Sequence, residues 1–285
     1  MTRSARPVPA TGAARRRALS GYVYRVLEVV RTELVTPGLR RIVLGGPELA
    51  GFGADRAGPN IKIYFARQGQ RRPLMPESDG EGALWWPPDD LRPIMRTYSV
   101  RRFDPDLGTL TVDFALHGGG VAGRWAARAR VGDVLGVTGP GGPTHRLADW
   151  NLLVADHAGL PGASVTLERL PSDARGVALL QVPTPADRQR IDHPPGLELR
   201  WIDADDPSRP GAALTEAVRE AHWPHGDSIY AWVSAESEIV RAARRYLREE
   251  RGLGRGHDLS IGYWRRGLTE SEYDRAHRND RDDDD

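Results

Sequence analysis

Hydrophobic and polar positions alternate with the two-residue period of half-buried strands through the first half of the chain, and the rhythm changes near Trp150. Residues 22–30 and 39–44 read as two β-runs split by Thr36-Pro37-Gly38, and residues 60–65 as a third. Residues 67–90 form a loop rich in Pro and Gly around Trp85-Trp86-Pro87-Pro88. Its tryptophans either cover a ligand or anchor the loop, and anchoring is the plainer reading. Residues 96–101 are extended, and after a turn at Asp104-Pro105-Asp106-Leu107-Gly108 the alternating run 110–116 reads as their hairpin partner. It ends at His117-Gly118-Gly119-Gly120, from which residues 121–129 start a short helix. Residues 132–142 close this half as a turn, a strand and a Gly-Pro loop, an order that suggests a small β-barrel.

From Trp150 onward strands alternate with helices. Residues 151–155, 177–182, 197–202, 228–233 and 259–264 read as strands, and 162–170, 212–221 and 236–251 as helices. Such alternation predicts a doubly wound parallel sheet, whose ligands sit beyond the carboxyl ends of the strands. The expected organisation is a basic arm over 1–20, a barrel over 21–147, an α/β domain over 148–268 and an acidic tail over 269–285.

Composition agrees with two domains, since 285 residues with 39% hydrophobic and 28% charged positions describe a soluble globular chain. The net charge of +1 conceals polarised ends: Arg3, Arg6, Arg15, Arg16 and Arg17 precede the barrel, and Asp282-Asp283-Asp284-Asp285 ends the sequence. Both ends are expected to be disordered, and the aromatics of a nucleic-acid surface are missing from the basic arm. No apolar run reaches the roughly 18 residues needed to cross a bilayer, and no signal-peptide h-region is evident, so a cytoplasmic location without membrane insertion is expected. With no cysteine there is no disulfide or thiol nucleophile, so redox chemistry requires a bound cofactor. Lys62 is the sole lysine among 40 Lys and Arg residues. No Walker loop is present, and the His222 and His225 pair lacks a third ligand, so no metal site is expected. Asp187 and Asp192 lie in a polar loop and read as solvated carboxylates.

The densest chemistry lies in Arg96-Thr97-Tyr98-Ser99-Val100-Arg101. On a strand Arg96 and Tyr98 point to one side, where a guanidinium can fork onto a phosphate and a phenol ring can lie against an isoalloxazine. Ser99 offers a hydroxyl and a backbone N–H to the flavin N5 edge. A plain exposed strand accounts for these six residues equally well. The glycines after His117, followed by a helix N-terminus, make a reasonable seat for a pyrophosphate, against the alternative of a solvated histidine at a hairpin end.

Together with Asp113-Phe114-Ala115-Leu116-His117-Gly118, Trp125-Ala126, Gly139-Pro140-Gly141-Gly142 and Gly262-Tyr263-Trp264-Arg265-Arg266-Gly267, this run resembles the siderophore-interacting proteins. These are FAD-dependent ferric-siderophore reductases of the ferredoxin-reductase-like superfamily. The resemblance spans most of residues 20–268 and implies a flavin-binding Greek-key-type β-barrel followed by a nicotinamide-type α/β domain. It implies an FAD site formed by Arg96, Thr97, Tyr98, Ser99, Asp113, His117, Gly118, Ala122, Gly123 and Trp125, joined by Asp156 and Ala158, with Ser99 at the reacting edge. NAD(P)H or ferredoxin would supply electrons, and a ferric siderophore would receive them. Arg251, Arg255, Arg265 and Arg266 are candidates to attract the anionic chelate or a nucleotide phosphate, unless they form only a solvated basic face.

The chain also departs from its relatives. Where the family commonly has Gly-Asp-Glu-Thr-Ala-Leu-Pro-Ala, it reads Ala155-Asp156-His157-Ala158-Gly159-Leu160-Pro161-Gly162, and a family Gly-Glu pair is replaced by Ala235-Glu236. Gly123 stands where relatives often place a hydroxyl residue. Added methyl groups at strand ends narrow a nucleotide's approach to the main chain. A second expectation is therefore a diverged FAD-binding protein without reductase activity, which binds a small molecule or catalyses a non-redox biosynthetic step. A third is a flavin-independent binding protein.

Overall fold

A computed structural model describes residues 23–53, 58–78, 84–116, 120–203, 208–225, 228–277 and 280. The first domain contains β1 (Arg25–Thr36), β2 (Leu39–Gly45), β3 (Asn60–Phe65), β4 (Glu77–Ser78), β5 (Leu84–Trp85), β6 (Ile94–Ser99), β7 (Arg102–Asp104), β8 (Thr109–Ala115), α1 (Val121–Arg128) and β9 (Val134–Gly141). Seven of these strands form an antiparallel sheet in the order β6-β3-β9-β1-β2-β8-β7, while β4 and β5 pair separately. Alternate residues Leu27, Val29, Ile42, Leu44, Ile61, Ile63, Leu110, Val112, Phe114, Leu135 and Val137 fill the interior, so the two-residue period of the sequence is the period of burial. The ring of Trp125 on α1 lies 5.6 Å from Phe65 and 5.8 Å from Phe114, against the same core.

Two sequence expectations change in this domain. The hairpin partner of β8 is β7, whereas β6 pairs with β3 and becomes an edge strand. The chain turns between them at Val100 and Arg101, whose N–H groups donate to Pro59 O at 2.7 Å and Thr111 O at 2.9 Å and draw the sheet ends together. Gly139 and Pro140 belong to β9 rather than to a loop, beside a register irregularity in β3, a place where a missing N–H is tolerated. Trp86 anchors the long loop, its ring 5.6 Å from Tyr24 and 5.9 Å from Tyr64.

The second domain runs β10 (Trp150–Ala155), α2 (Leu160–Arg169), β11 (Gly176–Gln181), β12 (Leu197–Ile202), α3 (Ala212–Glu220), β13 (Ile229–Glu236), α4 (Ser237–Arg245) and β14 (Asp258–Trp264). A wide π turn at Tyr246–Glu250 extends α4. The sheet is parallel in the order β12-β11-β10-β13-β14, and every residue of β11 is buried, as covering both faces requires. Leu152, Val154, Val177 and Leu179 meet α3 and α4 on one face, while Leu153, Ala155, Ala178 and Leu180 meet α2 on the other. No helix among the described residues is long and apolar enough to cross a membrane.

The segment expected to be an acidic tail contains a docked helix, α5 (Glu270–His277). Thr269 and Glu272 cap its start reciprocally: Thr269 N–H donates to Glu272 Oε2 at 2.8 Å, and Glu272 N–H reaches Thr269 Oγ1 at 3.4 Å. Tyr273 is fully buried, and burial of a side chain this large outweighs the acidic composition that suggests disorder.

Candidate functional site

The edge strand β6 presents two different faces. Tyr98 turns toward the barrel core, its ring centroid 4.4 Å from that of Phe114. Burial pushes the Tyr98 phenol well above its ordinary value, with the Glu270 charge adding and Arg96 opposing. Arg96 is half-buried and its Nη1 donates to Met95 O at 2.7 Å. Thr97 and Ser99 point the other way. Ser99 is buried, and a Cβ built on Gly162 of α2 would lie 3.0 Å from Ser99 Oγ and 3.3 Å from Trp232 of β13. The barrel motif and the α/β domain therefore meet where Gly162 has no side chain. Thr97 Oγ1 accepts from Lys62 Nζ at 2.5 Å and donates to Glu270 Oε1 at 2.6 Å.

Helix α1 packs on β8 and β2, and its Trp125 shares Phe114 with the ring of Tyr98. Its N-cap, Gly120, makes no side-chain capping bond, its first turn carries no carboxylate, and Ala122 and Gly123 are buried. A helix start with free N–H groups and no acidic neighbour accepts an anion. His117 and Gly118 lie outside the described residues. Asp113 belongs to a different arrangement from the expected cofactor contact. Its oxygens accept from Arg41 Nε at 2.7 Å and Nη2 at 2.8 Å, with Arg101 Nε 3.7 Å away. Arg101 also makes a bidentate pair with Glu168 of α2 at 2.6 and 2.7 Å. Asp113 thus positions the arginine that joins the motif to the second domain.

In the parallel sheet the strand order reverses between β10 and β13, so their carboxyl ends frame the crevice where ligands bind in such folds. Asp156 occupies this point and is buried. Its Oδ1 accepts from the N–H groups of Ala158 at 2.9 Å and Gly159 at 3.0 Å, while Oδ2 accepts from Glu236 N at 2.9 Å and Trp264 Nε1 at 2.7 Å. Burial pushes its pKa up against the pull of these four donors. Asp156 therefore ties the ends of β10, β13 and β14 together and acts on a ligand through the elements it holds. Ala158 is half-buried beside it. The close approach occurs at Gly159, where a Cβ would stand 2.0 Å from Ser234 O. Glu236 caps α4, accepting from Glu238 N at 2.6 Å and Arg266 N at 3.1 Å.

The four candidate arginines do not form one surface. Arg265 and Arg266 follow the carboxyl end of β14, on the crevice side. Arg251 and Arg255 precede β14 at the opposite edge of the sheet, where the Arg251 guanidinium lies 4.8 Å from the centre of the Trp223 ring. The cause is topological, since a crossover helix reverses direction between parallel strands and delivers its end to the amino edge. Asp187 also differs from the solvated carboxylate expected of it. It is buried, with Oδ1 accepting from Thr36 Oγ1 at 3.0 Å and Gly38 N at 2.6 Å, and Oδ2 from Thr184 Oγ1 at 2.8 Å. Burial, the largest single influence, would raise its pKa, but these hydrogen bonds and the charge of His157 together hold it below the ordinary value.

Gly162, Trp232, Lys62 and Glu270 are parts of the site that motif reading left out. A lone lysine in an arginine-rich chain and the Thr269-x-x-Glu272 capping pattern were available signals for the last two. FAD fits the residues present. Arg96 and the uncapped α1 start suit a pyrophosphate, Tyr98 backed by Phe114 supplies a flat surface, and Gly162 leaves Ser99 uncrowded.

Comparison with known proteins matches residues 28–144 to the siderophore-interacting FAD-binding domain and residues 148–267 to the siderophore-interacting protein family. The ferric vibriobactin reductase ViuB of Vibrio cholerae is 35% identical over 253 residues, covering 87% of this chain and 92% of its own. The crystal structure of the siderophore-interacting protein SipS from Aeromonas hydrophila superposes with a TM-score of 0.77 at 35% identity, over 90% of this chain and 96% of that one. A siderophore utilization protein from T. fusca gives 0.78 at 34% identity, over 90% and 97%.

Proposed function

The chain belongs to the siderophore-interacting protein family, and from that membership we propose that it is an FAD-dependent ferric-siderophore reductase that releases iron as Fe(II). FAD, when bound, would supply the chemistry of taking up two electrons from the donor and releasing them one at a time to ferric iron. Iron(II) is held more weakly than iron(III) by oxygen-rich chelators, which frees the metal. The observation that carries the proposal is the meeting of Ser99 with Gly162 and Trp232, because it joins the barrel motif to the switch point of the parallel sheet.

The chain's own groups divide the work. Arg96 and the start of α1, with Ala122, Gly123 and Trp125, hold the pyrophosphate end, while Tyr98 receives the ring and ribityl portion. The N–H and hydroxyl of Thr97 are taken by Glu270 and Lys62, so Thr97 shapes the strand edge without donating to the flavin. Ser99 directs its hydroxyl and N–H to the reacting edge, and Trp232 excludes water from that side. NAD(P)H approaches along the carboxyl ends of β10 and β13, past Ala158. Ferredoxin is the alternative donor. Arg265 and Arg266 face the same crevice and attract an anionic ferric chelate, and their distance from Arg251 and Arg255 leaves the latter pair out of the reaction.

The test is anaerobic. FAD-loaded protein should bleach on addition of NADH, NADPH or reduced ferredoxin, and a ferric catecholate or hydroxamate siderophore should restore the oxidised flavin spectrum while a ferrous chelator traps Fe(II). A flavin that no donor reduces, or reduced flavin that ferric siderophores leave unchanged, would defeat the reductase reading.

A further inference from the structure

Glu270 lies beyond both family matches, the second of which ends at residue 267, yet it reaches the centre of the flavin strand. Its carboxylate accepts from Thr97 N–H at 2.9 Å and from Thr97 Oγ1–H at 2.6 Å. Lys62 Nζ is 3.9 Å from the same carboxylate, whose side chain is only 13% exposed. The Thr97 hydroxyl is thereby oriented, receiving from Lys62 and donating to Glu270. Since β6 is an edge strand, the Thr97 N–H bonded by Glu270 would otherwise be open to water or ligand.

The contact is braced from behind. Tyr273 Oη and Ser237 Oγ both donate to Asp280 Oδ2 at 2.5 Å, and Arg244 bonds the carbonyls of Ser260 and Asp280. Helix α5 is therefore fastened to α4 and β14 while its first residue grips the barrel. The charged or titratable groups facing Glu270 are Lys62 and Tyr98, with Arg96 beyond.

We propose that Glu270 is a positioning residue of the flavin site: it pins the Thr97 edge of β6 for the incoming flavin and sets beside it a negative charge that lowers the flavin's reduction potential. The inference rests on the FAD reading above. A flavin gains negative charge on reduction, and a nearby carboxylate in a poorly hydrated seam opposes that gain by Coulomb repulsion. A lower potential makes a stronger reductant, which suits ferric chelates.

The full-length protein and its Glu270→Gln and Glu270→Ala variants test this by two measurements independent of turnover. These are FAD affinity, from quenching of flavin fluorescence, and the reduction equilibrium against a reference dye without oxygen. Glu270→Gln keeps one acceptor oxygen, so its FAD affinity should stay within about threefold of wild type. Its ratio of reduced to oxidised flavin at fixed potential should rise about tenfold, equivalent to about 30 mV for a two-electron couple. Glu270→Ala should show the same shift and bind FAD about tenfold more weakly. Wild-type potential in both variants would overturn the electrostatic assignment, and tighter FAD binding by Glu270→Ala would show that the helix competes with the flavin. Failure of the wild-type protein to bind FAD would instead remove the cofactor reading itself.

Discussion

The two domains meet along two seams of opposite character. At the β1–β2 turn, Asp187 of the α/β domain is buried and collects donors from Thr36, Gly38 and Thr184, so both oxygens of its carboxylate are satisfied within the protein. At β6, Ser99 faces the bare Cα of Gly162, and the only direct polar anchor on Thr97 from the far side arrives from Glu270 among the described residues. The first seam reads as a fastener. The second combines small side chains, an edge strand and a charge, as a surface that must still receive a ligand does. Buried donors that meet all their partners leave nothing to offer a cofactor, so the separation of fastening from binding follows from hydrogen-bond economy.

The strongest way to break this comparison is Asp187→Ala. It strands the buried Thr36 hydroxyl and the half-buried Gly38 N–H, while the exposed Thr184 hydroxyl can turn to water, and should cost about 2 kcal/mol in urea unfolding. FAD affinity should change by less than about twofold, and concerted loss of stability and flavin would show that the seams are one unit. Gly162→Val should act in the opposite sense. Its Cβ would stand 3.0 Å from Ser99 Oγ, so FAD binding should weaken about tenfold, near 1.4 kcal/mol, as measured by fluorescence titration. Wild-type affinity in Gly162→Val would place the flavin away from Ser99. The smallest effect concerns acid. Because hydrogen bonds and His157 hold Asp187 below its ordinary value of 3.8, its stabilisation is present above that pH and fades as pH falls through the lower folded value. The stability difference between wild type and Asp187→Ala should therefore shrink below about pH 3.8, followed by denaturation across an acid series.

Much of this was legible in the chain. The strands and helices after Trp150 fall within a few residues of their observed bounds, because strand alternation and helical amphipathicity are local properties. Arg96, Tyr98 and Ser99 were readable through their order and type, and the structure places Ser99 at the junction between domains. Asp187 was misjudged because its neighbours in sequence are polar, whereas its burial comes from a hairpin about 150 residues earlier. The four arginines were grouped by chemistry, and the sheet divided them by direction. Glu270 was hidden by an acidic composition that describes the segment but not where it docks.

The sequence by itself determined the two-domain order, the barrel and the parallel sheet, since periodicity, punctuation and residue type act within short spans of chain, while the flavin reading of residues 96–101 came from the family resemblance. Only the tertiary structure decided which carboxylates bind partners within the fold and which stand at the site. Asp113, Asp156, Asp187 and Glu270 are similar acids, and their roles differ because folding brings each a different set of donors from distant segments. Hydrogen bonding and burial are properties of those meetings, and no single segment carries them.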